Sequence, residues 1–108
     1  LSENSDIVAI MCGNDQMAVA AKTALNLAGN DQTVVYSIDG SPDIKKELKK
    51  ADGQIAGTVA QSPVNIGKKA VDIALDILEG KDFEKETSVD VFMINKENVE
   101  MYGADGWQ

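Results

Sequence analysis

Ile7-Val-Ala-Ile-Met-Cys12, followed by Gly13-Asn14-Asp15 and then by Met17, Ala21, Ala24, Leu25 and Ala28 at helical spacing, is the stretch that decides the fold. Its first part is an unbroken apolar run rich in β-branched residues, the pattern of a strand buried on both faces of a parallel sheet. Gly13-Asn14-Asp15 interrupts the run, and Gly29 supplies the stop for the helix that follows. A strand feeding a helix through so short a turn is half of a βαβ unit.

The same grammar repeats outward from there. Thr33-Val-Val-Tyr-Ser-Ile38 reads as a second buried strand closed by Asp39-Gly40. Ser41-Pro42 then reads as an N-cap with proline at the first helical position, and Ile44, Leu48 and Ala51 give that short helix a narrow apolar stripe. Asp52-Gly53 marks a turn before a third strand, Ile55-Ala-Gly-Thr-Val-Ala60. Ser62-Pro63 repeats the capping device and opens the longest helix, which runs to about Glu79 before Gly80. A fourth strand is expected over Val89-Asp-Val-Phe-Met-Ile94, then a helical turn from Lys96 to Tyr102 and a polar tail, Gly103-Ala-Asp-Gly-Trp-Gln108. The expectation is an α/β fold, an open parallel sheet with flanking helices.

The long helix carries more apolar surface than one sheet can cover. Val64, Gly67, Val71, Ala74 and Leu78 form one stripe, and Ile66, Ala70, Ile73 and Ile77 form a second. One stripe suffices to seat a helix on a sheet, so the second predicts a neighbour that this stretch of chain does not supply. The opening Leu1-Ser-Glu-Asn-Ser-Asp6 reads as a loop entering the first strand directly, which suggests that part of the sheet lies upstream.

Composition narrows the function. The chain has 108 residues, 44% apolar and 26% charged, within the range of an ordinary globular domain. A formal net charge of -8 argues against a nucleic-acid or anionic-membrane footprint. Lys45, Lys46, Lys49 and Lys50 cluster, and they read as the solvated face of a helix. A single cysteine and no histidine exclude an internal disulfide, a Cys/His zinc site and a histidine general base. Cys12, at the end of an apolar run, reads as a buried inert thiol. No apolar stretch approaches a membrane span.

In an open α/β sheet, ligands bind beyond the carboxyl ends of the strands. Asn14, Asp39 and Gln61 stand there, one per strand. A carboxylate that accepts from hydroxyls, with two amides that both donate and accept, suits a neutral polyol. Asn and Asp are also ordinary turn and capping residues, and Asp15 could cap its helix; spacing alone leaves both readings open. A receiver-type phosphoacceptor would need an acidic pair after the first strand and a lysine ending a later one. A dinucleotide site would need G-x-G-x-x-G after the first strand. Neither is present, nor is a Walker-type loop. No catalytic constellation and no cofactor are expected.

Four segments together resemble a known family. Asn14-Asp15-Gln16-Met17-Ala18 with Leu27-Ala28-Gly29, Ile38-Asp39-Gly40-Ser41-Pro42, Ile55-Ala-Gly-Thr-Val-Ala-Gln61-Ser-Pro63 with Gly67, and Val91 to Tyr102 with Asn95-Lys96-Glu97-Asn98-Val99 are similar, in order and spacing, to ribose-type (type I) periplasmic sugar-binding proteins. The resemblance implies a two-lobed receptor that closes like a hinge on a monosaccharide and hands it to an ABC permease outside the cytoplasm. It implies that Asn14, Asp39 and Gln61 contact sugar hydroxyls. It divides the chain into part of the C-terminal lobe (1–62), a hinge crossing whose helix packs on the other lobe (63–88), and a closing strand and tail (89–108). Two departures, Ser37 before the Ile-Asp pair and Gly13 before the Asn, bear on which sugar is preferred. Trp107, beside a polar tail, reads as frayed chain and not as a sugar platform. The alternative is the effector-binding domain of a LacI-type transcriptional repressor, which shares the fold and motifs; the closing segment favours transport. An unprotected edge at the first strand would invite pairing with a second copy.

Overall fold

A computed structural model describes residues 1–108. Three βα pairs follow in order: β1 (Ala9–Met11) and α1 (Asp15–Leu27), β2 (Val34–Asp39) and α2 (Pro42–Leu48), β3 (Ile55–Ala60) and α3 (Pro63–Leu78). β4 (Phe92–Asn95) and a 3-10 turn, Val99–Met101, close the chain. The sheet runs β1-β2-β3-β4, with β1 at an open edge.

β1, β2 and β3 are mutually parallel, with Met11 opposite Tyr36 and Ile38 opposite Val59. The open sheet with flanking helices is as expected and is parallel over its first three strands, while β4 is antiparallel to β3, which makes the sheet mixed. The reason is the course of α3. A helix of 16 residues extends about 24 Å at 1.5 Å per residue, and this one runs away from the sheet instead of folding back across it. Residues 79–91 retrace its length, so the chain re-enters beside the point where it left, Phe92 pairing with Ala60. A strand that starts where its neighbour ended can only run the other way. The excursion stretches the molecule to 59 × 31 × 17 Å. Its radius of gyration is 17.7 Å, against about 13 Å for a compact chain of this length.

The core lies between the sheet and one helical layer. Ala18 and Leu25 of α1 and Ile44 and Leu48 of α2 pack on Val35, Ile55, Ala60, Ile94 and Val99. The buried register on α1 is therefore set by Ala18 and Leu25, while Met17, expected in the stripe, is 56% exposed. The other sheet face is bare: Val34, Ile38 and Met93 are exposed, and so are Val8 and Met11 around β1. The apolar runs do have two apolar faces, and this chain covers one of them.

No residue of α3 is buried. Its Ile66, Ala70, Ile73 and Ile77 line a groove of about 540 Å³ together with Phe83 and Val91 of the returning segment. Lys69 Nζ donates to the Ser88 carbonyl at 3.0 Å across it. The opposite stripe is open, with nothing within 4 Å of a side chain added at Gly67. The expected capping by Ser62 is not found. Ser62 sits in the left-handed region at φ 53° and its hydroxyl makes no cap bond, since an N-cap needs extended backbone. Ser41 does cap α2, accepting from Ile44 N at 3.4 Å.

Candidate functional site

The parallel strands β1, β2 and β3 deliver Asn14, Asp39 and Gln61 to the same end of the sheet. Asn14 is the N-cap of α1: in extended conformation, its Oδ1 accepts from Met17 N at 2.8 Å. The Nδ2 group is left free to donate outward. Gln61 Nε2 donates to Asp39 Oδ1 at 3.0 Å, and Gln61 N donates to the Asp39 carbonyl at 3.4 Å. Asp39 takes part in none of the ion pairs of the structure.

Asp39 stands at φ 135°, and Gly40 after it at φ 75°. For a residue with a Cβ that backbone costs on the order of 1–3 kcal/mol, which glycine would avoid. The bend turns the Asp39 side chain out of the sheet. Two grooves meet there. One, about 570 Å³, is lined by Asp39, Gln61, Pro63, Val64 and Ile66. The other, about 1020 Å³ and mostly polar, is lined by Asn14, Gln16, Asp39, Ser41 and Asp43 among others. Asp39 and Trp107 are the residues common to both.

Below this floor sits a residue whose role the sequence did not reveal. Asp15 is not the cap but a buried carboxylate, 3% exposed. Its Oδ1 accepts from Ser37 Oγ at 2.6 Å and Thr58 Oγ1 at 2.7 Å, and its Oδ2 from Ser41 N at 2.7 Å. Thr58 Oγ1 in turn accepts from Gly40 N at 3.1 Å. The start of α1, the centres of β2 and β3 and the turn after Asp39 are thus tied to one side chain. Ser37 belongs to this network and lines neither groove itself.

The lysine cluster is also not uniform. Lys46, Lys49 and Lys50 are exposed, but Lys45 is wholly buried. Its Nζ donates to the Gly106 carbonyl and to Gln108 Oε1, and Gln108 Nε2 donates to the Tyr102 carbonyl at 2.8 Å. Burial holds the Lys45 ammonium below its ordinary value, partly offset by the charge of Asp105. The signal was available: Ile44, Lys45 and Leu48 occupy one arc of about 100° on a helix. The consequence corrects a second expectation. Residues 103–108 are pinned to α2, and Trp107 is held at the mouth of the site, not frayed. Cys12, expected to be buried, is only half-buried, and the burial it has raises its thiol above the ordinary value.

An open α/β sheet thus brings a carboxylate and two amides together beyond its strand ends, the place where ligands bind in folds of this class. The chain belongs to the periplasmic binding protein domain family, whose pattern it matches over residues 1–82. It is 37% identical over 97 residues to the ribose import binding protein RbsB of Salmonella typhimurium, covering 90% of this chain and 32% of the relative. It is 41% identical over 88 residues to the ribose import binding protein RbsB of Bacillus subtilis, covering 82% and 28%. Among solved structures, an ABC transporter periplasmic solute binding protein of Actinobacillus succinogenes with bound D-allose superposes with a TM-score of 0.88 at 28% identity, covering 94% of this chain and 35% of that one. A solute binding protein of Bacillus halodurans with bound myo-inositol gives 0.84 at 31% identity, covering 95% and 35%. The chain spans about a third of the length of the relatives it matches.

Proposed function

We propose that this chain is part of the substrate-binding component of a sugar ABC transporter, and that Asn14, Asp39 and Gln61 hold the hydroxyls of a monosaccharide or cyclic polyol. The observation that carries the reading is Asp39. A strained, outward-turned carboxylate, braced by Gln61 and free of cations, is kept at a position where glycine would be more stable. Strain retained in this way marks a position shaped by a ligand.

The donor and acceptor inventory agrees. Asp39 Oδ2 and Gln61 Oε1 accept, and Asn14 Nδ2, its oxygen already engaged by Met17 N, donates. A sugar hydroxyl does both. Hydrogen bonds to a charged group contribute roughly 1.5–3 kcal/mol each, enough for Asp39 to dominate the affinity from this side. D-allose and myo-inositol in the structural neighbours are ligands of this chemistry. Residues 1–62 belong on this reading to one lobe, residues 63–88 cross to the other, and residues 89–108 return. The bare stripe of α3 is the surface expected to meet the second lobe. The site performs recognition without catalysis, and its partner is an ABC permease at the outer face of the membrane, an extracytoplasmic location. The relatives described above are import binding proteins, and nothing in the site favours the repressor alternative.

The test is the melting temperature of the full-length protein against a panel of pentoses, hexoses and cyclitols, with Asp39→Ala as control. A ligand at about 100 times its Kd adds about 2.7 kcal/mol, read as an upward shift of several degrees. That shift should occur for one sugar and vanish in the variant. No shift with any member of the panel would reduce Asn14, Asp39 and Gln61 to capping and turn roles.

A further inference from the structure

We propose that Trp107 is a ligand-contacting wall of the strand-end site, held in place by the buried Lys45, and that it selects ligands with an apolar C–H face. This rests on the reading of the site as a sugar site and deepens it. Trp107 shares with Asp39 the distinction of lining both grooves, so a molecule bonded to the Asp39 carboxylate from either side lies beside the indole. The polar groups already described account for the hydroxyl edge of a sugar. They leave its C–H face without a partner, and Trp107, 47% exposed, offers a flat apolar surface there.

The indole is held by a latch that has no other evident use. Lys45 is 0% exposed, and a buried lysine is costly unless its donors are satisfied. Here two of its three donors are taken by the Gly106 carbonyl and Gln108 Oε1, from the immediate neighbours of Trp107 on either side. The bond to the Gly106 carbonyl fixes the backbone just before Trp107, and the bond to the Gln108 side chain ties down the residue just after it. A solvent-facing tail would need neither the buried ammonium nor the second bond from Gln108 to Tyr102.

The experiment is titration calorimetry on the full-length protein with the sugar that gives the largest melting shift. Trp107→Leu is expected to weaken binding about tenfold, equivalent to about 1.4 kcal/mol, and Trp107→Phe, which keeps a ring, by less. Lys45→Met should weaken binding in the same direction, and the Lys45→Met/Trp107→Leu double variant should bind no worse than Trp107→Leu alone, because both remove one contact. Circular dichroism and the ligand-free melting temperature check that each variant is folded. Unchanged affinity in a folded Trp107→Leu protein overturns the wall while leaving the Asp39 site intact. Failure of the unaltered protein to bind any sugar overturns both readings.

Discussion

Replacing Asp15 by alanine should be among the most damaging single changes available in this chain, because its carboxylate is buried and lies at the meeting point of three elements. Three donors converge on its carboxylate at 2.6–2.7 Å: two hydroxyls and one backbone amide. Charge-assisted bonds of this kind contribute about 1.5–3 kcal/mol each, which sets an upper range of about 4.5–9 kcal/mol. Relaxation lowers it. Ser37 and Thr58 can rotate their hydroxyls, Thr58 keeps its bond from Gly40 N, and Ser41 N can reach water in the adjoining groove. A net loss of about 3–5 kcal/mol is expected for Asp15→Ala. Asp15→Asn keeps the shape and one acceptor but turns an amide N–H toward a donor, and about 2 kcal/mol is expected there. The assay is urea unfolding of the full-length protein, read as a midpoint shift at constant slope. A second readout is sugar affinity, since the turn that presents Asp39 hangs from the same carboxylate. An Asp15→Ala loss below about 1 kcal/mol, the range of ordinary surface changes, would refute the argument that this carboxylate ties the strands together.

Asp39→Gly should raise the ligand-free melting temperature, by relief of about 1 kcal/mol of backbone strain, and abolish the shift with sugar; a thermal scan with and without ligand reads both. Gly40→Ala should cost about 2–4 kcal/mol, because a Cβ there would lie 2.7 Å from Ala60 Cβ and 2.9 Å from Ala60 Cα; urea unfolding measures it. Burial pushes the Glu47 carboxyl up, but hydrogen bonds and charge from Lys22 and Lys50 outweigh that and hold it below the ordinary glutamate value. A carboxylate lowered in the folded state contributes its stability above the unfolded value and loses it as pH falls through the folded one. Glu47→Gln should therefore cost about 1 kcal/mol at neutral pH, and the gap from the unaltered protein should close between about pH 5 and pH 3.

The alternation of strands and helices was legible because period-2 and period-3.6 patterns, proline caps and glycine stops are local signals. The antiparallel course of β4 was not, because strand direction depends on where α3 goes, and α3 goes where the sheet exerts no pull. Asn14 and Asp15 are both competent caps, and only the extended backbone of Asn14 decides which of them turns inward. The position of Asp39 and Gln61 could be read from the strand ends, but not the strain at Asp39 or the bond between them. Lys45 could have been found on the arc of Ile44 and Leu48. Trp107 could not, since its place depends on bonds between α2 and a segment far along the chain.

The pairing of Ala60 with Phe92 makes everything between them topologically a single hairpin loop. The sheet records only that the chain leaves β3 and returns beside it, about 4.8 Å away across a ladder spacing. The closure entropy of such a loop rises slowly with length, so the arm can lengthen, shorten or be exchanged with little consequence for β1 to β4. Replacing residues 61–91 with a two-residue Asn-Gly turn should leave the β3–β4 ladder protected in hydrogen exchange, and loss of that protection would show that the arm holds the sheet together. On this view the arm is an interchangeable module plugged into a fixed socket, and the socket's rim is the strand end that carries Asp39.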